Sequence, residues 1–384
     1  MVPARAAEGR VSERIRILYT IPNFITAGSG RAMLNIIERL DRSRFDPSVA
    51  VLKKGGRLDA EVERLGIPLL EHAFTVEARP YGGFPRRAWR AAAAFRPHRF
   101  DIWHSFHYSN DYSEPVIARL AGARAWVYTK KNMNWHNNAW HLRTLCASGV
   151  AAQNSDMMRS FFGHPLYARK TVLLPRGVDL ERFQAAESSP VSDDGIVRVG
   201  CLAHLVPVKG HPTLLRAVAQ VPGCELHIAG READAEYSAG LHALCRELGL
   251  EGRVVFRGDV ADTPAFLRRM DVMVLPTLAR WRMEGCPVAL LEAMATGRAC
   301  IATDIPGSRD IIRSGVDGLL VRPEDVNALV RALHGLVSDR DRRRAFGRAA
   351  RRRVEECYSL DREVRAHERF YELVLGRGMM SDLA

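Results

Sequence analysis

The fold of this chain is decided by residues 271–321, which read DVMVLPTLARWRMEGCPVALLEAMATGRACIATDIPGSRDIIRSGVDGLLV. The apolar, β-branched run at 272–275 predicts a buried strand, and Pro287 after the next loop is typical of a helix start. Gly297 predicts the end of that helix, and a second apolar run at 299–302 predicts another strand. Apolar strands that alternate with helices indicate a parallel sheet covered by helices on both faces.

The same alternation extends through the rest of the 384 residues. It forms one series up to Gly177 and a second series from Gly195. The stretch between them is polar and aperiodic, as linkers are. The pattern therefore predicts an α/β protein with two doubly wound, Rossmann-like sheets, each with its ligand crevice at the carboxyl ends of the strands. We assign residues 1–177 to a front domain, 178–195 to a linker and 196–358 to a back domain.

The composition is that of a folded protein, with 47% hydrophobic and 26% charged residues. It excludes a disordered chain, a collagen-like fibre and a small disulfide scaffold. No stretch approaches the ~18 continuous apolar residues of a membrane-spanning helix, and the polar first fourteen residues do not resemble a secretory signal. The seven cysteines share no metal-ligand spacing and predict buried, reduced thiols. We therefore expect a cytoplasmic protein without a metal site.

The net charge of +12 indicates an anionic partner. Residues 81–100 combine five arginines with five aromatic residues, a pattern typical of a helix that lies on an anionic bilayer. A solvated helix with one packed face explains the same pattern equally well. On the membrane interpretation, the protein is peripheral on the inner face of the plasma membrane and its acceptor is lipid-linked. Nucleic acid is not an expected partner, because the chain has no zinc finger, helix-turn-helix or RNP-like aromatic pattern.

Two turns have features of phosphate-binding sites. In the front half, Gly28 and Gly30 follow the first predicted strand and precede a helix expected from Arg31. In the back half, Lys209 and Gly210 hold the same position. Glycine allows close approach of a ligand to the backbone, and a helix start offers unpaired N–H groups to an anion. An ordinary strand–helix turn and a solvated surface lysine are the alternatives, and the absence of GxGxxG disfavours a nicotinamide or flavin site.

Two carboxylates flank the predicted start of the helix after Pro287. Glu284 lies in the loop before it and Glu292 lies inside the helix, so both side chains can face one crevice. Carboxylates accept hydrogen bonds from paired hydroxyls such as those of a ribose or a hexose. The helix amides between them could hold a diphosphate, and Gly285 leaves room for a ligand.

These residues resemble the signature of the retaining glycosyltransferases of family 4, which have the GT-B fold. The family pattern of E-G-x-P followed by L-E-A-M-A-x-G is met by residues 284–287 and 291–297. The other family patterns are met by His204, Lys209 and Gly210, by Pro306, Gly307, Asp310 and residues 317–321, and by Arg176, Gly177, Val178, Asp179 and Phe183. The front half resembles the family only loosely, through the Gly28 turn, residues 104–107 and Asn154–Ser155.

The resemblance implies two Rossmann-like domains that face a central cleft. The front domain would bind the acceptor and the back domain a nucleotide-sugar, and the helix expected at 359–384 would pack back on the front domain. In the donor site, Glu284 would contact hydroxyls of the sugar and Glu292 the ribose. The remaining donor-binding residues implied by the family are Gly28, Gly30, Gly285, Cys286, Pro287, Val288 and Ala289.

The family also implies which residues neutralise the departing diphosphate and which residue contacts the transferred sugar. Lys209 corresponds to the lysine that neutralises the departing diphosphate, and it is usually paired with an arginine. This chain has His204 at that position, which implies weaker or pH-dependent stabilisation of the leaving group. The family histidine that reaches the transferred sugar corresponds to His107 rather than to His104, which we expect inside a strand.

Two further segments are candidates for substrate contacts. Lys130, Lys131 and Asn132 follow a predicted strand and could bind an anionic or polar acceptor, with surface lysines as the alternative. The loop at 278–283 is about four residues longer than is usual in the family, and its arginines and tryptophan could contact an acidic sugar, an acceptor phosphate or a lipid. A loop that only packs is equally compatible with this sequence.

The reaction implied is transfer of a hexose-type sugar from a nucleotide-sugar, UDP- or GDP-linked, to a hydroxyl of a saccharide or lipid-linked acceptor. It would proceed with retention, without a metal ion or a further cofactor, in cell-envelope polysaccharide or glycolipid synthesis. The alternatives are a GT-B sugar-nucleotide epimerase, which needs no acceptor, and a non-catalytic protein that binds a nucleotide-sugar or a polyanion. Glu284, Lys209 and His107 are the residues expected to take part in catalysis.

Overall fold

A computed structural model describes residues 14–25, 27–107, 111–134, 138–185, 195–280 and 284–376. Within them the chain forms two parallel sheets, and every neighbouring pair of strands is parallel. The predicted architecture of two doubly wound, Rossmann-like domains with the GT-B fold is therefore confirmed.

The front sheet has seven strands in the order β3-β2-β1-β4-β5-β6-β7. The strands are β1 (Ile15–Thr20), β2 (Phe45–Val51), β3 (Leu69–Glu71), β4 (Ile102–Ser105), β5 (Ala125–Lys130), β6 (Gly149–Ala152) and β7 (Thr171–Leu173). The helices between them are α1 (Ala27–Arg39), α2 (Asp59–Arg64), α3 (Phe84–Ala93), α4 (Ser113–Leu120), α5 (Ala139–Cys146), α6 (Ser155–Ser160) and α7 (Pro165–Ala168). The sequence does not predict β3, because this edge strand has three residues and none is buried.

The back sheet has six strands in the order β10-β9-β8-β11-β12-β13. The strands are β8 (Val197–Leu202), β9 (Cys224–Ala229), β10 (Val254–Gly258), β11 (Val272–Leu275), β12 (Ala299–Thr303) and β13 (Leu319–Val321). The helices are α8 (His211–Ala219), α9 (Ala235–Glu247), α10 (Thr263–Arg268), α11 (Val288–Ala295), α12 (Ser308–Ile311), α13 (Val326–Val337), α14 (Arg340–Cys357) and α15 (Leu360–Val374). Gly297 has a φ of 72° after α11, the left-handed conformation of a helix C-cap.

The two domains are joined where the chain crosses between them twice. At the first crossing, Val178 pairs with the second crossing at Ser359, through hydrogen bonds to Tyr358 (2.8 Å) and from Leu360 (2.9 Å). Gly177 is required there, because a Cβ would lie 2.5 Å from the carbonyl oxygen of Ser359. The domain limits stay a prediction, and residues 186–194 of the expected linker lie outside the described residues.

Helix α15 belongs to the core of the front domain although it follows the back domain in sequence. Its Leu360, Val364, Phe370 and Tyr371 are buried in the same cluster as β1 and α1. Ser359 caps the helix by accepting a hydrogen bond from the Arg362 amide (3.3 Å). The last part of the helix expected at 359–384 lies outside the described residues, since the description ends at 376.

Two expectations about composition can also be compared with the structure. Five of the seven cysteines are buried, but Cys146 is exposed and Cys357 partly so, which corrects the prediction that all are buried. No helix among the described residues is both long enough and apolar enough to span a bilayer.

Candidate functional site

The donor-site carboxylate and lysine expected from the sequence form an ion pair. Lys209 Nζ lies 2.7 Å from Glu284 Oε1, although the residues are far apart in the chain. They meet because β8 and β11 are neighbours in a parallel sheet, so the loops after both strands leave the same edge. Gly210 ends the lysine turn with a φ of 70°, and a Cβ there would lie 2.0 Å from the carbonyl oxygen of Pro276. Only glycine fits this turn.

Helix α11 begins directly beside this ion pair. Pro287 is its N-cap residue, and Val288 and Ala289 supply the first amides, which have no acceptor inside the helix. Such amides and the helix dipole favour an anion. Cys286 is buried in this loop, and burial raises the pKa of its thiol to about 12. It is therefore a neutral packing residue at physiological pH.

Glu292 lies in the second turn of α11 and is only partly exposed to solvent. Burial raises the pKa of its carboxyl to about 7, opposed by the charge of Arg182. The carboxylate and the protonated form are thus both populated near neutral pH. A group in this state can be stabilised as a carboxylate when hydroxyl donors such as those of a ribose arrive.

The loop that carries Glu284 is held by the front domain. The Gly285 amide donates to the Lys131 carbonyl (2.9 Å), and the Gly285 carbonyl accepts from Asn154 Nδ2 (2.7 Å). A Cβ at Gly285 would lie 2.6 Å from Met157 Cε. The glycine was expected to leave room for a ligand, and the room is instead occupied by the front domain.

A second contact between the domains lies next to the first. The Asp310 carboxylate accepts from the Ser155 amide (2.6 Å) and from Ser155 Oγ (2.7 Å), at the start of α6. Asn154 accepts from the Met157 amide (2.7 Å) and so caps the same helix. The N-terminus of α6 therefore binds both the donor loop and α12 of the back domain.

The two lysines after β5 are not surface residues. Lys130 is 4% and Lys131 7% exposed, which makes the surface alternative wrong. Lys130 donates to the Asn132 side chain (2.6 Å) and to the Asn134 carbonyl (2.9 Å), while Lys131 donates to the Phe106 carbonyl. Burial lowers the pKa of Lys130 to about 7 and that of Lys131 well below its usual value. Their role in acceptor binding, with Asn132, stays a prediction.

The two histidines of the front domain have different surroundings. His104 is fully buried in β4, and its ring nitrogens hydrogen-bond Tyr371 and Thr129, each at 2.8 Å. His107 lies beyond the strand, packs edge-on against Phe74 at a centroid distance of 6.1 Å, and its buried Nδ1 has no partner among the described residues. Burial lowers the pKa of His107, so its imidazole is neutral at pH 7. Both ring nitrogens of His104 are thus hydrogen-bonded within the protein, whereas a role of His107 in contacting the sugar stays a prediction.

The remaining predicted donor residues, His204, Gly28 and Gly30, differ in how much space around them is open to a ligand. His204 is exposed and its Nδ1 accepts from the Arg231 amide (3.3 Å), and partial burial together with Arg231 lowers its pKa. Helix α1 begins at Ala27 rather than at Arg31, so Gly28 and Gly30 lie in its first turn. Gly30 is needed for packing, because a Cβ would lie 2.6 Å from Phe24, whereas Gly28 has open space around it. The Gly28 side of this turn is therefore the side open to a ligand.

Two further features named from the sequence are the expected absence of a metal site and the long loop at 278–283. The described residues contain no cluster of His, Cys, Asp or Glu suited to a metal ion. In the loop at 278–283, Arg280 binds Glu324 (2.8 Å), and residues 281–283 lie outside the described part of the chain.

A fully buried ion pair that the sequence analysis does not predict joins Glu114 to Arg143 in the front domain. Its members are 29 residues apart, so the sequence carries no local signal that they meet.

Two family models match this chain, one for each domain. The model described as "Glycosyltransferase Family 4" matches residues 26–182, and the model described as "Glycosyl transferases group 1" matches residues 195–339. Together they span most of both domains.

Curated relatives include enzymes of cell-envelope synthesis. The lipopolysaccharide core biosynthesis mannosyltransferase LpcC of Rhizobium leguminosarum is 28% identical over 76% of this chain and 85% of its own length. A GDP-mannose-dependent alpha-(1-6)-phosphatidylinositol monomannoside mannosyltransferase of Mycobacterium tuberculosis is 33% identical over 55% of this chain. The alignment covers 57% of that relative's length. None of these relatives supports the epimerase alternative.

Solved structures share the fold over more than nine-tenths of the chain. A glycosyltransferase from Rickettsia africae has a TM-score of 0.83 at 18% identity and covers 95% of this chain and all of its own. Anabaena HepE in complex with UDP and glucose has a TM-score of 0.77 at 19% identity and covers 92% of this chain and 98% of its own.

Proposed function

This chain is a member of glycosyltransferase family 4, and we propose that it transfers a hexose from a nucleotide-sugar to an acceptor hydroxyl with retention of configuration. The observation that carries the proposal is the Lys209–Glu284 ion pair at the N-terminus of α11. A cation, a carboxylate and free helix amides meet there at the carboxyl edge of the sheet, where doubly wound folds bind ligands. A diphosphate would take the lysine and the amides, and the carboxylate would then accept from the sugar hydroxyls.

The proposed reaction breaks the bond between the anomeric carbon and the diphosphate oxygen. The acceptor hydroxyl attacks from the face that the diphosphate leaves, and the leaving oxygen takes its proton, so that charge and atoms balance. Lys209 and the amides of α11 stabilise the negative charge that develops on the diphosphate. The proposal needs no metal ion, because these groups supply the positive charge. His107, neutral and on the front side, faces the sugar.

We propose GDP-mannose as the first donor to test and a lipid-linked saccharide of the cell envelope as the acceptor class. The support comes from the relatives, one of which is named for GDP-mannose and one for lipopolysaccharide core synthesis. A UDP-hexose is the second donor to test, because HepE shares the fold and its complex holds UDP and glucose.

A thermal-shift experiment tests the donor site. GDP, UDP, ADP, CMP and their common sugar conjugates are added to the wild type, to Glu292→Ala and to the control Glu247→Ala, an exposed carboxylate of the same domain. A ligand at 100 times its Kd stabilises the folded state by about 2.7 kcal/mol, which raises Tm by several degrees. We expect one nucleotide series to shift the wild type and the control but not Glu292→Ala. No shift with any nucleotide at millimolar concentration would contradict the proposal.

We also propose that α3 attaches the front domain to an anionic membrane surface. Tyr81 and Trp89 are 62% and 54% exposed, and Arg86 and Arg90 are exposed beside them. This helix ends at Ala93, so the amphipathic segment is shorter than the 81–100 region expected from the sequence. Sedimentation with vesicles of phosphatidylglycerol should be reduced several-fold by the double variant Trp89→Ala/Arg90→Ala. Equal binding by the variant, or equal binding to neutral phosphatidylcholine vesicles, would contradict this attachment.

A further inference from the structure

The front domain contains a buried ion pair that the fold alone does not explain. The side chains of Glu114 in α4 and Arg143 in α5 are both 0% exposed, and Arg143 Nη2 lies 3.1 Å from Glu114 Oε2. Burying two charges carries a desolvation cost that their attraction often fails to offset, and apolar residues of similar size are frequently as stable. A pair of this kind points to a role other than stability.

The pair contacts side chains of three strands, β1, β4 and β5. Glu114 Oε1 accepts from Thr20 Oγ1 at the end of β1 (2.5 Å) and from the Trp103 indole in β4 (3.1 Å). The Arg143 guanidinium lies over the rings of Trp126 and Tyr128 in β5, at 4.7 and 5.3 Å from their centroids. Since Thr20 is the last residue of β1, the pair binds the carboxyl edge of the front sheet, the edge at which doubly wound folds have their ligand crevice.

One serine connects the pair to the loop that carries His107. Ser105 Oγ, on the last residue of β4, donates to Glu114 Oε2 (2.7 Å) and accepts from Arg143 Nη2 (2.7 Å). The same oxygen accepts from the His107 backbone amide at 3.4 Å. Arg143 also donates to the Asp111 carbonyl at 2.5 Å, on the far side of the same loop. Both flanks of the loop are thus bound to the buried guanidinium or its serine partner.

We propose that Glu114, Arg143 and Ser105 are positioning residues that set where the His107 imidazole stands in the cleft. The inference rests on the proposed function only in giving His107 a place beside the sugar. Its physical content is that Ser105, the His107 amide and the Asp111 carbonyl are held in place by contacts with one fixed charge pair or its serine partner. A purely structural pair would hold the core together without any effect that passes through His107.

The ionisation of His107 gives a test that needs no substrate. Four charged groups act on this ring: Glu114 and Asp111 raise its pKa, Arg143 and Lys131 lower it, and burial lowers it most. Glu114→Gln keeps the side-chain shape and should lower the pKa of His107 further, whereas Arg143→Met should raise it. The measurement is hydrogen–deuterium exchange at the His107 ring carbon across pH, assigned by its loss in His107→Gln.

The matched control is Glu363→Gln, which breaks the other buried carboxylate–arginine pair of the front core, with Arg176 at 2.9 Å. Neither of these residues is among the groups that shift His107. The control should leave the pKa of His107 unchanged. Identical exchange profiles for wild type, Glu114→Gln and Arg143→Met would overturn the proposal.

A double-mutant cycle tests the same proposal through the reaction. The variants are Glu114→Gln, His107→Ala and their combination, and the assay is nucleotide release from GDP-mannose, or from UDP-glucose if that series stabilises the wild type. A displacement of about 1 Å at a reacting group can lower a rate by about 100-fold. We therefore expect Glu114→Gln to lower kcat by about 10- to 100-fold with little change in the donor KM. It should have no further effect in the His107→Ala background.

Additive effects of the two substitutions would overturn the positioning role. A His107→Ala variant as active as the wild type would instead refute the proposed place of His107 beside the sugar, and the exchange experiment would still decide the positioning role. If Glu114→Gln is poorly folded, the double variant Glu114→Met/Arg143→Met removes both charges together. That variant should recover Tm but not kcat, whereas recovery of both would show a structural role only.

Discussion

The two sides of the cleft are built in opposite ways. On the back-domain side, Glu284 and Lys209 meet at the surface in a pair whose carboxylate side chain is 45% exposed, and both come from short contiguous motifs. On the front-domain side, Lys131 and the Glu114–Arg143 pair are buried and bind the protein itself. Charge on the back side is thus available to a ligand, and charge on the front side fixes the backbone.

This difference indicates that the back-domain side binds the ligand's charge and the front-domain side positions the groups around it. A donor with a diphosphate brings two or more negative charges, so Lys209, whose partner Glu284 is a half-exposed carboxylate, can exchange that partner for the ligand at little cost. The front side has no such exposed pair among the described residues that surround His107. Its contribution is shape, held by groups too buried to exchange partners. Substitutions on the back side should therefore act directly on ligand binding and catalysis, and those on the front side through position.

The largest effect is expected for Lys209→Ala. This substitution removes the cation nearest the proposed diphosphate, and the loss of one such stabilising group typically lowers kcat by about 100- to 1,000-fold. The measurement is steady-state nucleotide release, with Arg331→Ala, an exposed cation of α13, as the control. Since Lys209 also restrains Glu284, donor affinity should fall as well. A variant with wild-type kcat would contradict the claim that charged residues on the back-domain side act directly on the substrate.

A smaller effect is expected where the front domain holds the donor loop. Asn154→Ala removes the hydrogen bond to the Gly285 carbonyl and the cap on the Met157 amide. Losing a buried hydrogen bond costs about 1–2 kcal/mol, so we expect nucleotide affinity, measured by calorimetry, to weaken about tenfold. Asp339→Ala is the matched control, because it removes an equivalent cap, on the Arg342 amide of α14, a helix that follows α13 and not the carboxyl end of a strand.

Equal loss of affinity in the two variants would show that cap loss and reduced stability explain the effect. A loss confined to Asn154→Ala would show that the front domain contributes to donor binding by fixing the loop. That result would strengthen the contrast between the two sides, because the front domain would then affect donor binding only by positioning the loop.

The fold could be predicted from the sequence almost completely. Strands such as β11 and β12 are buried on both faces, so each appears in the sequence as a continuous run of apolar residues. Only β3, a short strand with no buried residue, could not be predicted. The positions of the donor-motif residues could be predicted from local signals, because Glu284 precedes Gly285, Lys209 precedes Gly210, and Glu292 lies in the helix that begins after Pro287. Their roles in binding stay a prediction.

The front half of the site could not be predicted in the same way. Glu114 and Arg143 have no distinctive neighbours in sequence, and their meeting depends on how α4 and α5 pack on the sheet. The burial of Lys130 and Lys131 was missed for the same reason, since a lysine at a strand end is usually solvated. The role of Gly285 was misjudged, because only the contact between the domains shows what occupies the space above it.

The smallest effect concerns the pH dependence of nucleotide binding through Glu292. Its pKa of about 7 lies above the usual value of 4.5, so the folded protein binds this proton more tightly than the unfolded chain does. Stability from this group is therefore present at low pH and declines as the pH rises from about 4.5 through 7. Ribose hydroxyls need the carboxylate as acceptor, so nucleotide affinity should change in the opposite direction. The ionised fraction rises about fourfold between pH 6.5 and 8, and nucleotide Kd should fall by about the same factor. Glu292→Gln cannot ionise and should bind weakly with a flat profile. A wild-type profile as flat as that of the variant would show that Glu292 does not bind the ribose as a carboxylate, and that the donor side, like the front side, uses a buried charge for position.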